Sequence, residues 1–366
     1  MKTRMAVCLL ALFSITGCFD DDKQQLDDQQ ELVISDTELS LRSEFSAQDY
    51  LEDPGFVYYT SGNGVEIVYN TEFFAYRFGS SEEWTVELES DYEVYRIGVI
   101  SSQHWVRSGI APGGSYFDRE VALEETRDGG ATWNEVDVNE EDLNLGTVRY
   151  DWRFAYDFAN NRLFATNNNN LMVADLPIEN FTLLDDSPWY DGWGDLIQHQ
   201  SRDEIWLIGT LDIMTIGGTP VDTAYVRKFS VSDGVSLTDM TDRIGMSRVS
   251  QGLILNNHPD VVLVLGSDGV VRTEDGGSSW VSILESASSL SQSTNGDRIF
   301  ALNHPEDGKV EIYCSQVLGD SWVRSYISGP ADVEGYRMYS KGDELTLIAR
   351  GGRVFSLPMS DVPCNL

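Results

Sequence analysis

Over 366 residues, Asp and Glu outnumber Lys and Arg by 60 to 25, a formal charge of −35 at pH 7. Such a surface repels nucleic-acid phosphates and anionic lipid head groups, excluding both as charge-driven partners, and it favours solubility or a cationic partner. Four scattered histidines, no Cys-x-x-Cys, no phosphate loop, no His-Glu-x-x-His and no twelve-residue calcium loop argue for neither metal nor cofactor.

The first residues, Met1-Lys2-Thr3-Arg4, precede an apolar run from Met5 to Ile15 and then Thr16-Gly17-Cys18, the charged, apolar and small-residue order of a secretory signal over 1–17. The run is too short to span a bilayer. Ile15-Thr16-Gly17-Cys18 resembles the bacterial lipobox, which implies cleavage before Cys18, a lipid on that cysteine and attachment to the cell envelope through the lipid. In that family an aspartate after the cysteine favours inner-membrane retention. Phe19 stands there instead, which implies the outer membrane if the cell is Gram-negative. Residues 18–35 are rich in Asp, Gln and Glu and poor in aromatics, the composition of a flexible acidic tether. With Cys8 lost and Cys18 acylated, Cys314 and Cys364 remain as a candidate disulfide pinning the C-terminal tail to a strand one repeat earlier.

From 36 to 366 no linker interrupts the chain, helical periodicity is absent, and short β-rich runs alternate with Gly, Asn and Asp turns. One unit recurs: apolar strand, polar turn, apolar strand, short turn, third strand. It is clearest at Leu253-Ile254-Leu255, Val261-Val262-Leu263-Val264-Leu265 and Gly269-Val270-Val271. Seven versions centre on 56–84, 93–133, 153–181, 196–237, 252–280, 292–322 and 336–358. Their spacing of roughly 42 to 56 residues fits four-stranded antiparallel blades, so the expectation is an all-β single propeller of seven blades, six or eight staying open. The last unit runs short, and Glu31 to Ser35 or Thr37 to Leu41 are candidates to complete it and remove its open edge.

Thr126-Arg127-Asp128-Gly129-Gly130-Ala131-Thr132-Trp133 and Thr273-Glu274-Asp275-Gly276-Gly277-Ser278-Ser279-Trp280 are near copies, and a degenerate third runs from Ser315 to Trp322. They resemble the Asp-box repeat, found between the two outer strands of propeller blades. Asp128 and Asp275 are expected to accept turn N–H bonds, Gly130 and Gly277 to take positive φ, and Trp133, Trp280 and Trp322 to seal the space between blades.

Asp boxes occur in sialidases, other glycoside hydrolases, sortilin-type receptors and the photosystem II assembly factors, so the resemblance specifies fold and leaves function open. Sialidases carry a Phe/Tyr-Arg-Ile-Pro motif ahead of the first box. Tyr95-Arg96-Ile97-Gly98 is similar but lacks the proline. The resemblance would make Arg96 a carboxylate clamp, Asp118 the acid/base and Tyr336 the nucleophile. Of the other arginines such a clamp needs, Arg153, Arg243, Arg298 and Arg324 are available but sit in no distinctive motif. A second cluster, Trp189, Tyr190, Asp191, Trp193 and Asp195, sets aromatics beside acids in a Gly-containing loop. That combination suits sugars or cationic groups, or a wedge between blades. His104-Trp105 and Tyr150-Asp151-Trp152 carry the same ambiguity. The reading that follows is a non-catalytic, membrane-anchored scaffold that recognises an envelope protein or a surface glycan. The alternative is a sialidase-like hydrolase or glycan-binding lipoprotein.

Overall fold

The computed structural model describes residues 31–47 and, with interruptions, 58–364; the longest internal segments outside the described residues are 111–120, 139–151, 186–191 and 329–336. Strands β1 (Glu31–Ser40) and β2 (Arg42–Ser46) come first in the chain but belong to its last two blades. Blade 1 holds β3 (Tyr58–Gly62), β4 (Val65–Tyr69), β5 (Phe73–Phe78) and β6 (Thr85–Leu88). Blade 2 holds β7 (Glu93–Val99), β8 (Trp105–Ile110), β9 (Val121–Thr126) and β10 (Asn134–Glu135). Blade 3 follows with β11 (Trp152–Asp157), β12 (Arg162–Asn167), β13 (Asn170–Asp175) and β14 (Thr182–Asp185). Blade 4 has β15 (Gly192–Gln198), β16 (Glu204–Met214), β17 (Pro220–Ser230) and β18 (Ser236–Asp239). In blade 5 are β19 (Val249–Leu255), β20 (His258–Gly266), β21 (Gly269–Thr273) and β22 (Val281–Leu284). Blade 6 has β23 (Ser289–Gln292), β24 (Ile299–Asn303), β25 (Val310–Ser315) and β26 (Ser321–Ser328), and blade 7 has β27 (Arg337–Lys341), β28 (Glu344–Ala349) and β29 (Arg353–Pro358). The protein is thus an all-β, seven-bladed propeller. Among the described residues the helical content is one turn at Thr241–Ile244 and one 3-10 turn at Met359–Asp361.

The apolar runs explain why sheets stack radially. A middle strand has a neighbouring blade on each face, so both faces need apolar side chains and the alternation of a half-exposed strand disappears. Val261 to Leu265 are all buried, as are all five residues of β4. At about 1.5–3 kcal/mol for each fully buried aliphatic side chain, these runs dominate the stability of a blade pair. The core is accordingly divided among the blade interfaces, and the described residues form seven apolar clusters, one for each pair of neighbouring blades. The tryptophan closing each recognisable turn packs backwards onto the preceding blade: Trp84 between blades 7 and 1, Trp133 between 1 and 2, Trp280 between 4 and 5, Trp322 between 5 and 6. Blade 3 has Phe181 in that place, packed on the buried Trp152.

The two near-identical turns join the third and fourth strands of blades 2 and 5 and share one bonding scheme. Thr126 Oγ1 donates to Asp128 Oδ1 (2.8 Å) and accepts from Gly130 N (2.9 Å), while Asp128 Oδ1 accepts from Thr132 N (2.8 Å). In the second copy Thr273 Oγ1 donates to Asp275 (2.9 Å) and accepts from Gly277 N (2.8 Å), and Ser279 N donates to Asp275 (2.8 Å). The N–H and hydroxyl of Ser279 hold the Asp275 carboxyl down at about 2. Gly277 has φ +91°, and a Cβ there would lie 1.9 Å from Met240 Sδ, so this position needs glycine twice over. In the degenerate copy Leu318 (φ +51°) and Gly319 (φ +90°) keep the backbone path, and Gly319 N donates to Ser315 Oγ (3.0 Å).

The ring closes with the N-terminal segment. β2 pairs antiparallel with β29 and becomes the fourth strand of blade 7, whereas β1 pairs parallel with β26 as a fifth strand of blade 6. Both segments expected to complete the last blade, Glu31 to Ser35 and Thr37 to Leu41, therefore lie outside β2, and the closing strand is Arg42–Ser46. The reason lies in packing: Phe45 and Ala47 fill the interface between blades 7 and 1, and Leu39 fills that between 6 and 7. Strand order also begins at Glu31, inside the stretch whose composition reads as tether. An ionic chain crosses the closing seam. The wholly buried Glu66 of blade 1 pairs with Arg77 and with Lys341 of blade 7, Arg77 Nη1 reaches Glu44 of β2 (3.3 Å), and Ser356 Oγ donates to Glu44 (2.8 Å). Cys314 of β25 and Cys364 beyond β29 are disulfide-bonded, which ties the C-terminal tail to blade 6.

Candidate functional site

The first strand of every blade is innermost, and successive first strands β3, β7, β11, β15, β19, β23 and β27 contact one another around the central channel. An innermost strand has sheet partners on one side only, so its other edge presents unpaired backbone groups that need partners. Between blades 4 and 7 polar side chains supply them. Asp195 Oδ2 of β15 accepts from Gly252 N of β19 (3.2 Å). Gln251 of β19 accepts from Leu290 N (2.8 Å) and donates to Leu290 O (2.9 Å), so one amide satisfies both groups of a β23 residue. Ser289 of β23 does the same for Met338 of β27 (3.0 and 3.2 Å). These are braces between blades, and they stiffen the channel wall.

Within this wall lies a cavity of about 150 Å3 lined by Asp195, Ser250, Gln251, Ser289, Arg337 and Tyr339, among others. Arg337 and Ser289 are the first residues of their strands and Ser250 the second, so the cavity sits towards the end of the channel at which the inner strands begin. Protein surrounds the Asp195 carboxyl, and this burial pushes it above the usual carboxylate range. The Gly252 N–H and the charges of Arg153, Arg96 and Arg337 pull in the opposite direction. The charges of three arginines, from blades 3, 2 and 7, thus act on one carboxylate from blade 4. Burial likewise raises the Tyr339 phenol above its ordinary value, with Arg337 opposing the shift, so it is a neutral donor at physiological pH.

A second cavity, of about 310 Å3, opens towards the other end, where Ile197, Gln198 and His199 end the β15 segment against Leu253, Ile254 and Asn256. Several of its polar groups are committed internally: His199 Nε2 meets Asn256 O (3.0 Å), and Gln292 bridges Asn256 N (2.9 Å) and Ile254 O (2.8 Å), whereas Gln198 Oε1, also in the lining, is buried with no hydrogen-bond partner among the described residues.

Of the sequence-derived candidates, Asp195 lines the first cavity, and the charges of Arg96 and Arg153 act on its carboxyl. Asp118, Tyr336, Trp189, Tyr190, Asp191 and Cys18 lie outside the described residues, and Trp193 is described only as a position on β15. Arg324 pairs with Glu311 (3.2 Å) and Arg298 donates to Met359 O (2.9 Å), both away from the channel cavities. Trp105 and Trp152 are core side chains between blades, 0% and 2% exposed. Sequence reasoning missed Arg337 and Tyr339 beside the quoted Tyr336, and the signal that could have found them is their place at the start of an inner strand. Among the described residues no group of three or more His, Cys, Asp or Glu side chains is arranged to hold a metal ion.

No family model matches the sequence, and no curated protein is significantly similar to it. Solved structures do match, 573 chains in all, so the architecture is a widely used one. A chain of a structure described as "Crystal Structure of Mitotic Checkpoint Complex" aligns with a TM-score of 0.59 over 98% of this chain and 99% of its own length, at 11% identity. At that identity the likeness is one of fold alone: this chain is similar to a β-propeller and shares no demonstrated activity with it.

Proposed function

We propose that this protein is a recognition propeller, held at an envelope membrane by a lipid on Cys18, that binds a partner protein at the arginine-bearing end of its channel and performs no chemistry on it. The carrying observation is a polar cavity lined by Asp195, Ser250, Gln251, Ser289, Arg337 and Tyr339, among others, in a wall braced between blades 4 and 7. A rigid, pre-formed polar site suits specific binding. The resemblance of its turns to Asp boxes, which serve receptors and assembly factors alike, agrees with this, as does the lipobox-like leader. The described titratable groups of the cavity also favour binding over catalysis. The Tyr339 phenol is raised, the wrong direction for a nucleophile, and Asp195 is occupied by Gly252 N.

The test is cross-linking of the full-length, acylated protein in native membranes followed by affinity capture and mass spectrometry. A recurrent envelope protein, lost with Arg337→Gln or with Trp189→Ala/Trp193→Ala, is the expected result; polysaccharide alone would overturn it. One observation favours the hydrolase reading with Asp118 and Tyr336: the charges of Arg96 and two further arginines act on the same carboxyl, that of Asp195. Turnover of a fluorogenic sialoside, abolished by Tyr336→Phe, would establish that reading instead.

A further inference from the structure

The cavity where the inner strands finish differs from the first in chemistry. Tyr156, Ile197, Leu253 and Ile254 give it apolar surface, and none of its lining residues is Asp, Glu, Lys or Arg. A charged guest would shed its water there without meeting a counter-charge, so the lining favours a neutral one. The polar groups of the wall can be followed one by one. His199 Nδ1 accepts from Ser201 N (3.2 Å) and its Nε2 donates to Asn256 O (3.0 Å). Asn256 N donates to Gln292 Oε1 (2.9 Å), Asn256 Nδ2 to Thr294 O (3.2 Å), and Gln292 Nε2 to Ile254 O (2.8 Å). The Tyr156 hydroxyl donates to Asn161 Oδ1 (2.8 Å). Gln198 departs from this pattern: its Oε1 is buried and accepts no hydrogen bond from the described residues. A buried acceptor without a donor is the costly state of such a group. The terminal torsion of a glutamine is broad, so a small turn of the amide brings Oε1 towards a donor held in the cavity. Volume sets the size of the guest. About 310 Å3 is roughly twice the space that holds one benzene ring and stands at the low end for ligand pockets.

We propose that this cavity binds a small neutral molecule, mainly apolar and about two fused rings in size, whose one N–H or O–H donor is accepted by Gln198 Oε1. The site lies at the opposite end of the channel from the recognition face and goes beyond that reading. Ile197, Leu253 and Ile254 keep the bond between apolar walls, where a hydrogen bond is stronger than in water. The bonds among His199, Asn256 and Gln292 fix the rest of the wall, so the guest meets a shaped cavity and does not have to order one.

The experiment is titration calorimetry of the full-length protein in detergent, with the detergent alone as the blank and three probes. These are indole; benzofuran, which keeps the shape but has a ring oxygen in place of the N–H; and indole-3-carboxylate, which adds a negative charge. Indole is expected to bind at a single site, benzofuran roughly tenfold more weakly for want of the donor, and the carboxylate more weakly than indole. Gln198→Met keeps a straight side chain of similar length without the acceptor, and is expected to retain benzofuran binding and abolish the preference for indole. Leu253→Trp fills the space and is expected to weaken both, so the test stands if either variant fails to fold. No binding of indole, equal affinity for indole and benzofuran, a preference for indole that survives Gln198→Met, indifference to Leu253→Trp, or carboxylate binding as tight as that of indole would overturn the proposal. Partner capture at the opposite end of the channel is read separately and stands or falls without these results.

Discussion

Reduction of the Cys314–Cys364 disulfide is the sharpest test of how the last blade is held. The bond closes a segment of 50 residues containing β26 of blade 6 and all three C-terminal strands of blade 7. In the chain-entropy treatment, a loop of that length restricts the unfolded chain by about 14 cal/mol/K, or about 4 kcal/mol at room temperature. Reduction leaves every side-chain atom in place, so unlike a Cys314→Ala change it opens no hole in the apolar cluster around that buried residue. Urea denaturation of the same protein with and without dithiothreitol, followed by tryptophan fluorescence, gives the difference directly. With a slope of about 3 kcal/mol per molar, the midpoint is expected to fall by about 1.3 M at constant slope. A fall below about 0.3 M would refute the argument, because the tail would then be held equally well by β2 and the ionic seam. A fall with a much shallower slope would mean that blade 7 opens by itself before the ring does.

Three further outcomes are expected. Glu66→Ala removes the buried carboxylate that Arg77 and Lys341 share, leaving Arg77 its bond to Glu44, and is expected to cost about 3–5 kcal/mol in the same urea assay. Gly277→Ala combines a positive φ with the Met240 contact and is expected to cost about 1–3 kcal/mol, more than Gly79→Ala, where φ is also positive, at +80°, but nothing stands within 4 Å. The Asp275 carboxyl is held at about 2 against an ordinary 3.8, so its contribution is present above pH 4 and lost as pH falls through 2. The slope of stability against pH between 4 and 2 is expected to shrink in Asp275→Asn, and an unchanged slope would show that the turn bonds do not perturb this group.

How much of this was legible in the sequence depended on whether a signal was local. The run Val261 to Leu265 announces a strand buried on both faces, and the Thr273–Trp280 segment carries every atom of its own bonding scheme within seven residues, so blades and turns could be read directly. The closing strand was placed a few residues too early. Glu31 to Leu41 has a strand-like composition, but the register is decided by whether Phe45 or an earlier side chain fills the gap between blades 7 and 1, a contact with residues 300 positions away. The channel site was less legible still. Arg96, Arg153, Asp195 and Arg337 come one from each of four blades, in no shared motif, and only the ring arrangement lets the three arginine charges act on Asp195. The braces escaped notice for the same reason, since Gln251 and Ser289 are unremarkable until an inner strand has an edge to satisfy.

The closing seam also dictates an order of events. Glu44 and Ser356 are hydrogen-bonded across 312 positions, and bringing such distant segments together costs about 5 kcal/mol of loop-closure entropy before any contact returns it. Blades 1 to 5, whose strands all come from consecutive chain, can fold as the polypeptide emerges. β1 and β2 cannot find β26 and β29 until nearly the whole chain is available. As the chain is made from its N-terminus, the first segment to appear is thus the last to be placed, and throughout that interval β1 and β2 are open strands in need of a partner. Completion of this propeller is a single late docking step, in which the beginning of the chain waits for its end.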